Sequence, residues 1–443
     1  MTNHLSRRGA LLASVTSLFL AATGVLAPVA VATATATAKS QAPTTRHVVF
    51  DQWDFGDRVR PGGTYDGTTG SEGALTMADP TTSRTYTDPH DPGAAEVTYD
   101  EGTWVSPEVR PGFGLTELVA SWNADTPDGT WVEVAAQGLA DDGTTSKWYV
   151  LGRWSDDDTS FHPTSVPGQG DDLATVAIDT LVTRTDRSLV TYQLKVSLMR
   201  ERGTTVSPSV DMVGAMASRI PEMKKIPASP TSMTETRVLD VPTYSQEIHI
   251  GDYPQWDGGG EAWCSPTSTA MVLAFWKTGP SEEDYAWVLD DDPDHVDPWV
   301  DYAARHTYDY NYDGAGNWPF NTAYAGRYGL ESFVTRLRSL AEAEQFIKAG
   351  IPLVVSMSFK KSELDGAGYG TNGHLLTIVG FEEDGDVVVN DPASHLVPSD
   401  DEVRVTYDRE QFENAWIGHT GGISYVIHPE DVPLPDAPAQ ANW

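Results

Sequence analysis

The 443-residue sequence contains a single cysteine, Cys264, and its neighbours give that thiol a chemical reading. It stands in GGGEAWCSPTSTAMVLAFW (258–276), where three glycines let the backbone run close to other groups before an apolar stretch of helical length begins. Proline is pre-organised for the first turn of a helix, so Pro266 puts Cys264 at or beside a helix N-terminus. There the exposed N–H groups and the positive end of the dipole favour a thiolate, the nucleophilic form of sulfur. The bland alternative is an inert buried cysteine that caps a core helix.

A thiolate nucleophile needs a group that carries its proton and later protonates the leaving group, and histidine is the usual choice. Of 11 histidines, His374 is the candidate, because Gly373-His374 opens the apolar run Leu375-Leu376-Thr377-Ile378-Val379, which reads as a strand that would hold the ring rigidly. About one hairpin later comes Asn390-Asp391-Pro392. Two adjacent antiparallel strands would bring that end beside the ring, where a carboxylate or amide can accept the Nδ1 proton and fix the tautomer. Neighbouring strand side chains point to opposite faces, so only one of Asn390 and Asp391 can meet His374. His395, His419 and His428 lack such a partner pattern.

Four segments occur in a recognisable order: VPTYSQ (241–246), WCSPTSTAMVL (263–273), NGHLLTIVGF (372–381) and VVVNDPA (387–393). Together they resemble the papain-like domain of cysteine-peptidase family thirty-nine, whose best-known members process double-glycine leader peptides of bacteriocins. More specifically, they are similar to the stand-alone, secreted branch of that family found in actinobacteria. The resemblance covers about residues 238–430 and implies Cys264 as nucleophile, His374 as base and Asp391 as the orienting acid. It also implies Gln246 as an oxyanion-hole donor acting with the Cys264 backbone N–H; Gln255 is the rival assignment. Trp263 and Gly373, next to the nucleophile and the base, are assigned as substrate contacts. Many family members have Gly after the cysteine, where this chain has Ser265. The leader-peptidase members are fused to membrane transporters, so cleavage of a double-glycine leader is not implied.

The elements that must position these groups fall into two domains. Residues 46–218 read as an all-β sandwich or jelly-roll, from short alternating runs such as Thr130–Val134, Trp148–Leu151 and Thr191–Val196 between Gly, Asp and Pro clusters. Residues 61–92 read as a turn-rich surface insertion. Hydrophobic periodicity lapses in a Pro-containing linker, 219–237, before an α+β peptidase domain at 238–430 and a tail at 431–443. In that domain Ser265–Trp276 and Leu340–Ala349 read as helices, and Ile351–Met357, His374–Phe381, Asp386–Asn390 and Gly422–His428 as strands. Each half is long enough to bury its own core. The β half is therefore expected to fold alone and to be dispensable for the chemical step.

Residues 1–38 read as a signal peptide of twin-arginine type: Arg7-Arg8, a short apolar run to Leu26, then an Ala/Thr tract with several small-residue cleavage sites. A secreted or cell-wall-associated protein with no membrane span after cleavage is the expectation. With 29 basic against 64 acidic residues, the net charge of −35 opposes binding to nucleic acid and anionic membranes. Among weaker motifs, Asp309-Tyr310-Asn311-Tyr312-Asp313-Gly314 matches half of a calcium loop, but Phe320 stands where the bidentate Glu belongs. Asn317-Trp318-Pro319-Phe320-Asn321 reads as an apolar loop. Trp104, Trp122, Trp131, Trp148 and Trp154 form either core or a sugar-binding platform.

The leading reading is a secreted cysteine peptidase acting on a peptide or protein substrate. The Cys264 thiolate attacks a carbonyl, His374 protonates the leaving amine, and water then hydrolyses the thioester. That chemistry requires neither a metal nor an organic cofactor. The alternatives are an amidase or acyl transferase on cell-wall peptides, and a catalytically silent protein whose β half binds a cell-wall or carbohydrate surface.

Overall fold

A computed structural model describes residues 45–55, 61–71, 73–221 and 225–443; the expected signal peptide lies outside the described residues. Among the described residues no helix is long and apolar enough to cross a membrane.

The N-terminal half is built from two antiparallel sheets. In the first, Ser209–Arg219 is central and pairs with Glu117–Asp125 on one side and His47–Asp54 on the other. In the second, Leu189–Glu201 lies between Val97–Val105 and Thr130–Ala140. Inward residues of both sheets, among them Leu118, Trp122, Val134 and Leu194, belong to one apolar cluster, as the alternating pattern requires. The stretch 61–92 is not a bare insertion, because it adds four short strands to the edges of these sheets. Trp104, Trp122, Trp131 and Trp154 are fully buried. They form core rather than a sugar platform, and only Trp148 is half-exposed, with the Lys195 ammonium over its ring.

Among the described residues the C-terminal half carries six α-helices: α1 (Cys264–Phe275), α2 (Ala286–Asp291), α3 (Pro298–His306), α4 (Trp318–Gly326), α5 (Leu340–Ala349) and α6 (Arg409–Glu413). Its antiparallel sheet runs in the order Glu331–Arg336, Ile423–His428, Leu353–Phe359, Thr371–Phe381, Val387–Asn390, Arg404–Tyr407. The sequence reading missed α2 and α3, which are short and lie in acidic, Pro-containing sequence. It also read the start of α4 as a loop. Asn317 is in fact the N-cap of α4, accepting the Phe320 N–H, and Pro319 occupies the first turn, where its missing donor costs nothing.

The expectation of two separate cores is corrected by the packing. One apolar cluster joins Trp122, Val134 and Leu151 of the β half to Val272, Phe320, Tyr324 and Val334 of the α+β half. The Phe320 ring sits 5.1 Å from that of Trp154 and 6.2 Å from that of Trp122. Polar groups match across the same contact. Asn123 donates to the Ser332 carbonyl at 3.0 Å and accepts the Ser332 N–H at 3.2 Å, all of it buried. The segment between the halves is tied down as well: the Glu344 carboxylate accepts the Ser232 N–H at 2.8 Å, and Arg409 Nε donates to the Ser229 carbonyl at 2.7 Å. The tail follows suit, with Ala441 accepting the Phe50 N–H and Trp443 packed on Phe346.

Both oxygens of the Asp309 carboxylate are taken up by hydrogen bonds within the fold. Asp309 Oδ1 accepts the N–H groups of Asn311, Tyr312 and Ser165, and Oδ2 accepts from Asn317 Nδ2. The loop is thus a polar staple from the α+β half to the β half.

Candidate active site

Cys264 is the first residue of α1, with Trp263 as N-cap. The helix is buried nearly all round, with the sheet on one side and α3 and α4 on others. Ser268 Oγ donates to the Leu375 carbonyl at 3.2 Å, which fixes α1 against the strand that carries His374. Ser265 is fully buried and its hydroxyl lies 3.0 Å from that of Tyr425. The glycines before Cys264 have distinct reasons. Gly259 adopts φ 113°, which other residues avoid, and a Cβ on Gly260 would collide with the His249 and Gln246 carbonyls.

His374 sits near the start of Thr371–Phe381, and its register is set by pairing with Met357 on one neighbouring strand and of Thr377 with Asn390 on the other. Continuing the second register puts Asp391 diagonally opposite His374 on the same face. His374 Nε2 lies 2.8 Å from Asp391 Oδ1. The strand pattern alone places the carboxylate on Nδ1. The far end of the ring reaches it instead, because Asp391 is one strand away, and Nδ1 is left on the side nearer the backbone. Asn390 points the other way, donating to the Pro242 carbonyl at 2.9 Å and accepting from Arg404 Nε at 3.0 Å.

Asp391 is fully buried and well supplied with donors: Tyr369 and Tyr407 each donate a hydroxyl to Oδ2 at 2.8 Å, and the Ala393 N–H reaches Oδ1 at 3.1 Å. Burial alone would raise its carboxyl, but the His374 charge and these donors outweigh it and hold the pKa below the ordinary value. Burial likewise disfavours a charged His374. The charge and hydrogen bond of Asp391, together with the influence of the Cys264 thiol, nevertheless raise the imidazole to about 10.

Gln246 begins a short 3₁₀ turn, Gln246–His249, whose first N–H donates to the Pro392 carbonyl at 3.0 Å. The residue next to Asp391 thereby holds the Gln246 turn. Gln246 Nε2 donates one hydrogen to the Glu261 carbonyl at 2.7 Å, which orients the amide and leaves its second hydrogen available at the cleft wall. Gln255 is exposed and does not line the cleft.

Cys264, His374, Gln246 and Gly373 all line one cleft of about 750 Å³. Trp263 does not: it is fully buried, with its indole N–H donated to the Trp256 carbonyl at 2.7 Å, so it supports the start of α1 from behind. Sequence reasoning missed the wall supplied by the β half, the turn at Ala177–Thr180. Asp179 there is buried, accepts the Trp318 N–H at 2.9 Å, and is pushed by burial to about 6. Nothing local in that sequence marks it, since its role comes from contact with the other half. Tyr369, five residues before His374, was also missed, and its nearness in sequence was the available signal. Away from the cleft, His249, Asp252, His295 and Asp301 bring their ligand atoms within 4.8 Å of one another, a grouping drawn from separate segments that spacing did not reveal.

A thiol at a helix start facing a carboxylate-held imidazole on an adjacent strand is the arrangement of cysteine-peptidase-like proteins. Residues 238–423 match the model of the peptidase C39-like family, and residues 50–218 match that of the peptidase C39 N-terminal domain. The C-terminal half of the chain is thus similar to the C39-like peptidase family, and the N-terminal half to the N-terminal domain named for the same peptidases. A solved structure of a protein from Bacillus anthracis described as C39-like peptidase aligns at 19% identity over 43% of this chain and 97% of its own, with a TM-score of 0.27. Carbohydrate-binding modules of the beta-sandwich superfamily align at 10% identity over 34% of this chain and 60% of theirs, with a TM-score of 0.17. No curated protein matches the sequence.

Proposed function

We propose that the protein is a papain-like cysteine peptidase that cleaves peptide bonds outside the cell through the triad Cys264, His374 and Asp391. The observation that carries this reading is the buried 2.8 Å contact of His374 Nε2 with Asp391 Oδ1, in the same cleft as the Cys264 thiol. Cys264 attacks the scissile carbonyl, and the oxyanion that forms accepts hydrogens from the Gln246 side chain and the Cys264 N–H. The raised pKa of His374 keeps a proton on the ring at neutral pH, ready for the leaving amine. After the amine departs, the neutral imidazole draws a proton from water as it attacks the thioester. Asp391 holds the ring orientation through both steps.

Export rests on the paired arginines and apolar run at the N-terminus, and on a lone thiol that has a catalytic use. The cleft wall carries Asp179, Asp257 and Glu261 and no Lys or Arg, so basic and neutral peptides are its substrates in preference to acidic ones. Purified protein should hydrolyse a fluorogenic peptide library and be labelled once by a thiol-directed peptidyl inhibitor. Absence of both from folded protein would refute the enzyme reading.

A further inference from the structure

Four metal-ligating side chains meet where none of the proposed chemistry needs them. His249 ends the 3₁₀ turn that begins at Gln246, Asp252 lies three residues on, His295 lies between α2 and α3, and Asp301 is in the first turn of α3. The His249 and Asp301 side chains are 0% exposed, His295 12% and Asp252 36%. A closed interior pair thus opens toward solvent through the other two.

Hydrogen bonding does not account for this group. His295 Nε2 and Asp301 Oδ2 make a good contact at 2.8 Å. His249 is different. Its Nδ1 is 3.1 Å from Asp301 Oδ2 but too poorly aligned for a hydrogen bond, and neither of its ring nitrogens has a hydrogen-bond partner. Asp301 Oδ1 is also unpartnered. Fully buried polar atoms left without partners are rare in folded proteins, and a bound ion is one means of supplying the partner.

A metal ion would take the unpartnered His249 Nδ1 as a ligand, beside His295 Nε2 and Asp301 Oδ2. Tetrahedral bonds of about 2.0–2.1 Å to nitrogen and oxygen place ligand atoms roughly 3.3–3.4 Å apart. The separations here, 2.8 Å, 3.1 Å and 3.8 Å for His295–Asp301, His249–Asp301 and His295–Asp252, bracket that value. Two imidazoles exclude the hard cations calcium and magnesium, which take oxygen ligands, and suit zinc and its neighbours. Two carboxylates neutralise a divalent ion, which makes its burial affordable. Four protein ligands leave no open position, the mark of a structural rather than a catalytic site.

We propose that His249, Asp252, His295 and Asp301 bind one divalent transition-metal ion of the zinc class, which ties the turn carrying Gln246 to α3. The His249 ring lies 6.0 Å from that of Trp263, the residue before Cys264, so the ion would brace both approaches to the cleft.

The full chain, purified and dialysed against a chelator, tests this by elemental analysis and thermal melting with added Zn²⁺, Co²⁺ or Ca²⁺. We expect about one tightly held Zn²⁺ per chain, a rise of several degrees in the stripped protein's Tm on adding it, and a tetrahedral Co²⁺ spectrum. His295→Ala and Asp252→Asn change the more exposed ligands and should fold, with Zn²⁺ affinity lowered at least about tenfold. Cys264→Ala should bind zinc as wild type does, which makes the result independent of whether the cleft is catalytic. No stoichiometric metal with no Tm response, a response to Ca²⁺ alone, or zinc uptake unchanged in His295→Ala would each overturn the assignment. So would loss of zinc in Cys264→Ala, which would put the ion in the cleft.

Discussion

His374 Nε2 and Asp391 Oδ1 face each other at 2.8 Å with both side chains almost wholly shielded from water, and each shifts the other's titration in the direction that keeps the pair charged. The sign of the pH dependence follows. The folded pKa of His374, about 10, lies above its ordinary 6.5, so its contribution to stability is full below pH 6.5 and is lost as pH rises through about 10. Asp391 is shifted down, so its contribution is present above its ordinary value of 3.8 and is lost on acidification below that. Asp391→Asn should therefore move the alkaline limb of kcat/KM to lower pH and flatten the alkaline fall in Tm. A pH–rate profile with an unmoved alkaline limb would separate Asp391 from the ring's proton.

Cys264→Ala should abolish turnover, by a factor of at least about 10³, with far-UV circular dichroism and Tm close to wild type. The side chain is only half-buried and its removal opens no core. Retained turnover would remove the thiol from the mechanism.

Gln246→Ala should cut kcat by about 10²–10³ with little change in KM, as expected for a donor used mainly in the transition state. Gln255→Ala should be silent, since that residue is exposed outside the cleft. A loss confined to Gln255→Ala would reverse the assignment.

Asn123→Ala removes the reciprocal pair with Ser332 and leaves buried backbone groups of the α+β half unsatisfied, at a cost of about 1–3 kcal/mol. Calorimetry should show one transition, lowered as a whole, because the two halves share a core. Two transitions, with only the N-terminal one shifted, would mean that the halves unfold independently.

Asp179→Asn should weaken kcat/KM for peptides with a basic residue more than for neutral ones, since it removes an acidic group from the cleft wall. Equal effects on both would detach the wall's charge from selectivity.

Much of the site could be read from local sequence. Cys264 at a helix start follows from Pro266 and the apolar run behind it, because capping and propensity act within a few residues. The pairing of His374 with the Asn390-Asp391 end follows from strand period and one hairpin, and the face rule leaves one of the two for the ring. Which one, and which ring nitrogen it meets, depended on the register between strands, with Thr377 opposite Asn390.

Other features had no local signal. The cleft wall at Ala177–Thr180 and the shared core around Trp122, Trp154 and Phe320 join residues more than a hundred positions apart. A linker of low periodicity suggested independence, yet shape and polar matching across the interface decide whether two sheets and a helix bury one core or two. The His249, Asp252, His295 and Asp301 group is of the same kind. The sequence determined the residue types and the turns on which they sit, because those are set by short-range chemistry. Only the tertiary structure decided which of them meet, because burial and register are properties of the packed chain.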